Sequence, residues 1–305
     1  MKKSRILPAL LVLMLLITGC KAPSVAVPES VNHVGLDRKP ALSGTVSDGE
    51  GKWAYRITTY TVTGEHCAAD DARHVLTRHS YQTPSMEVLR AEGEKDVPVA
   101  AVRAVKRFNE YFQEVLADEV AWFDEMAAAA DEDYRAVGHQ STSLWQNSDF
   151  HYSDESELAF WSNEHLVCIT TTRYSYSGGA HPSTWRSGEI FDLRTGRGVT
   201  VADLTDDIQA LRSAVEQELL RQAKQRLQDS MELPNAEPLS YYDDYPETLA
   251  AWLERSVTLD DRGMTVIFSV YDIAPYAAGE QAFSMSYEFI APYLNDYGRQ
   301  MLELD

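Results

Sequence analysis

A histidine placed directly after paired glycines is the most chemically suggestive feature of this sequence. In Tyr174-Ser175-Tyr176-Ser177-Gly178-Gly179-Ala180-His181, an alternating segment runs into two residues free to take positive φ, then into a titratable ring. A second such segment lies far downstream: Tyr271-Asp272-Ile273-Ala274-Pro275-Tyr276-Ala277-Ala278-Gly279. If the two meet in space, His181 could work with Asp272 or Tyr271, and a histidine–carboxylate pair can do general acid–base chemistry. The competing reading is that His181 bonds backbone and locks its loop. It is preferred, because no Gly-x-Ser-x-Gly nucleophile elbow accompanies the histidine. No catalytic residue is therefore assigned. Tyr176, Gly178, Gly179, His181, Tyr271, Pro275, Tyr276 and Gly279 are taken instead as a candidate ligand-binding set. Tyrosines are enriched in binding hot spots and offer an apolar face with a polar tip. Tyr174 and Tyr271 also suit half-buried strand positions.

The other reactive side chains carry weaker signals. Cys168 lies in a strand that reads as buried, and buried structural thiols are inert, so a Cys168–His181 nucleophile pair is disfavoured. His66, Cys67, His74 and His79 fall close together, without Cys-x-x-Cys or His-Glu-x-x-His spacing, so no metal is expected. Asp243-Asp244 and Asp260-Asp261 lack the spacing and glycine of a calcium loop. Gly178-Gly179 alone is too little for a dinucleotide, and no cofactor is expected. A disulfide between Cys67 and Cys168 and a pair of free thiols both remain open. A bridge would close a loop of about 100 residues and contribute about 4–5 kcal/mol in the chain-entropy model.

The third cysteine belongs to an address. Lys2, Lys3 and Arg5 precede an apolar run from Ile6 to Ile17, which ends in Thr18-Gly19-Cys20. The run is shorter than a bilayer span and suits a signal peptide. Small residues before a cysteine are similar to the bacterial lipobox, which implies cleavage before Cys20 and lipid attachment there. The chain is thus expected to be exported and lipid-anchored in the cell envelope. Its 305 residues include 27 Lys plus Arg against 47 Asp plus Glu, a formal charge of −20. Cleavage would remove three positive charges and deepen that further. Such a surface repels nucleic-acid phosphates, so no nucleic-acid partner is expected, and it attracts basic molecules.

The elements that must position these residues follow from periodicity. Residues 20–50 carry Pro23, Pro28, Pro40 and three glycines, with Gly51 just beyond, without sustained pattern and read as a flexible tether. Trp53 to Val62 alternates as a strand, and residues 74–90 read as extended. A long amphipathic helix is expected from Pro98 to about Ala130, its core face set by Val102, Val105, Phe108, Phe112, Val115, Phe123 and Met126. Asp118, Glu119, Asp124, Glu125, Asp131, Glu132 and Asp133 then form a solvated acidic face. Strands follow through Ser177, the clearest being Leu166 to Ser177, with a hairpin over 184–202. A second helix is expected from Asp206, which has capping-box spacing to Gln209, to Gln228. Two strands, 264–271 and 281–288, and a short terminal helix complete an α+β chain of mostly antiparallel sheets. Two small domains packed together are expected, 51–165 and 166–305.

The Gly-Gly-Ala-His and Ile-Ala-Pro-Tyr-Ala-Ala-Gly segments have Ile190-Phe191-Asp192-Leu193-Arg194-Thr195-Gly196 and Val201-Ala202-Asp203-Leu204 between them. Together they resemble the extracytoplasmic domain of RsiV-type anti-sigma factors, a domain of unknown function. The upstream half, from residue 52 to about 165, is similar to the small domain that precedes it and that also occurs in the deacetylase PdaC. The resemblance implies a domain that binds lysozyme, a basic cell-wall hydrolase. It implies no deacetylase chemistry, because that belongs to a separate PdaC domain. The expectation is a surface-displayed lipoprotein that binds a cationic hydrolase or a cell-wall component. The alternative is a cell-wall hydrolase using His181 with a carboxylate.

Overall fold

The computed structural model describes residues 33–47, 52–89, 97–147, 149–232 and 239–304. The signal peptide 1–19, the lipid attachment at Cys20 and the first part of the tether lie outside them. The rest of the tether is a correction. His33–Ser47 is a strand, β1, antiparallel to β2 (Lys52–Cys67), with Arg38 opposite Tyr60 and Val46 opposite Trp53. Proline and glycine usually argue against a strand. Here β1 is the sheet's edge, where a missing N–H costs little, and a register shift between Pro40 and Leu42 absorbs the irregularity.

β2 pairs with β3 (Val75–Leu89), and α1 (Val99–Val137) follows. Next come β4 (Tyr152–Ser162), β5 (Leu166–Tyr176), β6 (Ser183–Asp192) and the two-residue β7 (Arg197–Gly198). All seven strands form one sheet in chain order. Every neighbouring pair is antiparallel except β3 and β4, which run parallel only over Thr77–Ser80 against Tyr152–Glu155. The expected boundary at 165/166 falls in the turn between β4 and β5. α2 (Ile208–Met231), α3 (Tyr245–Ala250), β8 (Ser256–Asp260) and β9 (Gly263–Phe268) lead to β10 (Gln281–Ser286), and α4 (Tyr287–Ile290) and α5 (Asp296–Met301) end the chain. β8 to β10 form a second antiparallel sheet. The class is α+β with mostly antiparallel sheets.

α1 runs along the free side of β3 beyond its junction with β4. Its first half packs Ala104, Phe108 and Phe112 against Tyr55, Ile57, Met86, Ile169 and Phe191. Its second half packs Leu116, Val120 and Phe123 against Val62, Leu76 and Tyr81. The helix therefore serves two cores on opposite faces of the β1–β3 ribbon. Asn109 stands in for a strand neighbour: its Oδ1 accepts from the Met86 N–H at 2.8 Å and its Nδ2 donates to the Met86 carbonyl at 2.9 Å. Gln82 does the same where β3 and β4 part, accepting from the Leu158 N–H at 3.0 Å. Gly196, in the β6–β7 turn, sits at φ +65, where an added Cβ would lie 2.0 Å from the Ala104 carbonyl oxygen, so the turn can seat on α1 only as glycine.

Three further expectations change. The face of α1 is shifted: Val102 is 48% exposed, while Leu116 and Val120 are buried. Glu119 is buried as well, not on the solvated acidic face. α2 is capped one residue later than expected, by Asp207, whose carboxylate accepts from the Ala210 N–H at 3.0 Å. Of the two readings left open for Cys67 and Cys168, the structure has the free thiols. Cys67 lies at the Val75 end of β3, level with the start of β4, whereas Cys168 pairs with Trp161 near the other end. About ten residues of strand, roughly 33 Å, separate those levels.

Candidate functional site

β5 and β9 each deliver one of the two glycine-bearing loops, and the loops meet. The His181 ring stacks on Tyr276 with centroids 3.6 Å apart and planes 13° from parallel. The Tyr271 hydroxyl lies 2.7 Å from His181 Nε2, and the rings of Tyr271 and Tyr276 are 5.9 Å apart. His181 Nδ1 is 3.1 Å from the Pro182 carbonyl, which can only accept. In the neutral ring, Nδ1–H therefore donates to Pro182 and Nε2 accepts from Tyr271. Both nitrogens are occupied.

Local backbone conformation explains the approach. Gly178 and Gly179 take φ +87 and +91, and Gly279 takes +68. Tyr271 is at φ +71, a left-handed conformation that a bulky residue adopts at a cost of order 1–3 kcal/mol. The Tyr176 hydroxyl donates to the Gly179 carbonyl at 3.1 Å and holds the first loop. Phe150 and Tyr152 pack beneath Gly178. Pro275 opens the single turn that carries Tyr276, and it is exposed, as is Tyr271. Tyr174 is 37% exposed, at the rim of the strand.

Asp272 does not join the histidine. Its Oδ2 accepts from the Ser269 N–H at 2.8 Å, and its Oδ1 is 3.4 Å from Arg255. The left-handed turn at Tyr271 sends the ring toward His181 and the next side chain away. The carboxylate half of the hydrolase alternative is therefore replaced by a phenol. Cys168 lies near the opposite end of β5 from Tyr176. It is buried, accepts from the Leu259 N–H, and has its thiol pushed up to about 11 by that burial. The histidines of the 66–79 stretch disperse: His66 lies 3.1 Å from Asp131, His74 packs on Tyr134, and His79 stacks on Tyr81 and meets Phe123 edge-on.

Several residues to which sequence reasoning gave no part in the site build the surroundings. Arg186 on β6 makes a paired ion bridge to Glu280, with Nε 2.9 and 3.0 Å from the two carboxylate oxygens, and ties the sheet to the second loop. The Tyr242 N–H donates to the Ile273 carbonyl at 2.9 Å, which sets the exposed Asp243 and Asp244 beside that loop. On the other flank, the Tyr152 hydroxyl donates to Asp133, so α1 brings a carboxylate toward Gly178. The adjacent acids at 243–244 and the Tyr-rich stretch around them were the available signals. The site is thus three aromatic rings from two loops, with carboxylates at its margins.

Comparison with known proteins covers part of this construction. Residues 200–288 match DUF3298, a family described as a protein of unknown function. The match contains the Tyr271–Gly279 loop and ends before the terminal helix, while Gly178 to His181 lie upstream of it. The solved structure of a DUF3298 family member from Bacteroides fragilis matches with a TM-score of 0.51 at 16% identity, covering 89% of this chain and 98% of that one. A DUF3298 family protein from Pseudomonas aeruginosa gives a TM-score of 0.45 at 16% identity, over 78% and 94%. The first likeness is one of fold. No curated protein matches the sequence. Among the described residues, no helix is long and apolar enough to cross a membrane.

Proposed function

We propose that this chain is an exported, lipid-anchored binding module that captures a cationic protein, of which a lysozyme-like cell-wall hydrolase is the leading example, or a cationic cell-wall component. The observation that carries the reading is the gathering of His181, Tyr271 and Tyr276 from separate loops into one ring cluster, with Asp243 and Asp244 following Tyr242, which bonds the second loop, and Asp133 bonded to Tyr152 beneath Gly178. A guanidinium or ammonium over such rings gains about 0.5–2 kcal/mol per contact. A chain of charge −20 steers basic partners to it from beyond contact distance. The resemblance to RsiV-type domains supports the choice of a lysozyme, and the DUF3298 match over the second loop is compatible with it. The lipobox-like Gly19-Cys20 supports display outside the cell.

The test is calorimetric titration of the full chain, held in detergent, with a basic lysozyme at low and moderate salt. Binding is expected at low salt and about tenfold or more weaker near 0.2 M, because screening shortens the Debye length to below ~8 Å. No heat in either condition would reject the lysozyme assignment. Affinity independent of salt would reject the electrostatic mechanism. Truncation is best avoided: a fragment starting at residue 50 would lack β1.

A further inference from the structure

A second concave surface lies on the β1–β3 ribbon. It is a cavity of about 350 Å³, in the lower range of small-molecule sites. Register explains it. Arg56 is level with Glu87, Thr58 with Ser85, and Arg38 with Tyr60, so these side chains share one face. That is the face opposite Tyr55 and Ile57, which the first half of α1 covers. The shift at Pro40 opens the edge. Tyr60 is buried at the floor, and Arg38 is exposed with no ion-pair partner among the described residues. Arg56 pairs with Glu87 at 3.2 Å, with side chains 45% and 30% exposed. An exposed pair of this kind contributes about 1 kcal/mol or less, so a ligand anion can displace the carboxylate.

Two guanidiniums facing one groove are out of keeping with a chain of −20, and they select for negative charge. Their forks match a carboxylate, the Thr58 and Ser85 hydroxyls match ligand hydroxyls, and the Tyr60 ring gives an apolar floor. We propose that this groove binds a carboxylate-bearing saccharide of one or two residues, with Arg38 and Arg56 as its anion contacts. The site is separate from the loop pair, so its fate does not depend on the cationic-partner reading.

Ligand-detected magnetic resonance on the full chain would test it, with glucuronate, glucose and inorganic phosphate as probes. Glucuronate is expected to bind and glucose to bind at least tenfold more weakly. Arg38→Gln with Arg56→Gln should weaken glucuronate about tenfold, and Glu87→Gln, which frees Arg56, should tighten it about threefold. The Glu87→Gln gain is the decisive sign, because general damage to the ribbon would not tighten binding. Glucose binding equal to glucuronate, an unaffected double arginine variant, or no binding to both wild type and Glu87→Gln would overturn the proposal. Phosphate binding without glucuronate binding would overturn the saccharide assignment.

Discussion

Replacing Arg173 with methionine is expected to destabilise the protein by about 3–5 kcal/mol, the range for removing one partner of a buried ion pair. Asp154 on β4 is fully buried. Arg173 on β5 holds it through Nε at 3.1 Å and through a second, shorter contact, and the Tyr81 hydroxyl donates to it at 2.7 Å from β3. The same guanidinium lies 4.0 Å from Glu119 of α1 and over the rings of Tyr81 and Trp185. One side chain thus compensates charge where β3 and β4 make their short parallel junction. Without it, two carboxylates are left in a dry interior. Urea unfolding should show the loss directly. Arg173→Lys should be intermediate, since lysine keeps the charge but not the fork. Arg173→Met with Asp154→Leu should recover part of the deficit, because the Arg173–Asp154 pair is removed together, while Glu119 and the Tyr81 hydroxyl still lose a partner. A single-variant loss below about 1 kcal/mol would mean that Asp154 is solvated and the junction is not held this way.

The second large effect is a dependence on pH carried by Glu119. Burial pushes its carboxyl up to about 7, against the opposing pull of Arg173, and the charge on Asp154 pushes the same way. Glu189 on β6 is also raised, mainly by burial. Between the ordinary value of 4.5 and about 7, the folded state keeps a proton on Glu119 that the unfolded chain releases. Stability from this group is therefore complete below pH 4.5 and is lost as pH rises through 7. Glu119→Gln, which imitates the protonated form, should stabilise the protein at pH 8 by roughly 2–3 kcal/mol and leave it unchanged near pH 4.5. Urea midpoints measured from pH 4.5 to 8.5 would show this as a flatter profile than wild type. Equal slopes in the two proteins would place the Glu119 carboxyl in its ordinary range.

What was legible in the sequence was what neighbours in the chain decide. Alternation from Trp53 marked β2, the 3.6-residue spacing of Phe108, Phe112 and Met126 marked α1, and strand-then-glycine patterns marked both site loops. What was not legible depends on distant residues. β1 is a strand because β2 offers it an edge, in spite of Pro40. β8 is five residues long with only Val257 and Leu259 buried, too little pattern to stand out. Glu119 looks like a surface acid beside Asp118 until Arg173 arrives from another strand. The same limit holds at the site. Adjacent glycines and a histidine can be read from the chain. Whether His181 meets Asp272 or Tyr271 depends on one positive φ, which no composition reveals.

The central claim is that the two loops form a single contact surface for a cation-bearing partner. Its most direct test is the lysozyme affinity of Tyr276→Ala and His181→Ala at one low salt concentration, compared with Glu132→Gln, an exposed acid on α1 outside the ring cluster. The account expects each loop variant to lose at least tenfold, the loss typical of a central binding residue, and Glu132→Gln to change less than about twofold. Loop variants that bind as wild type does, while Glu132→Gln weakens binding, would contradict it.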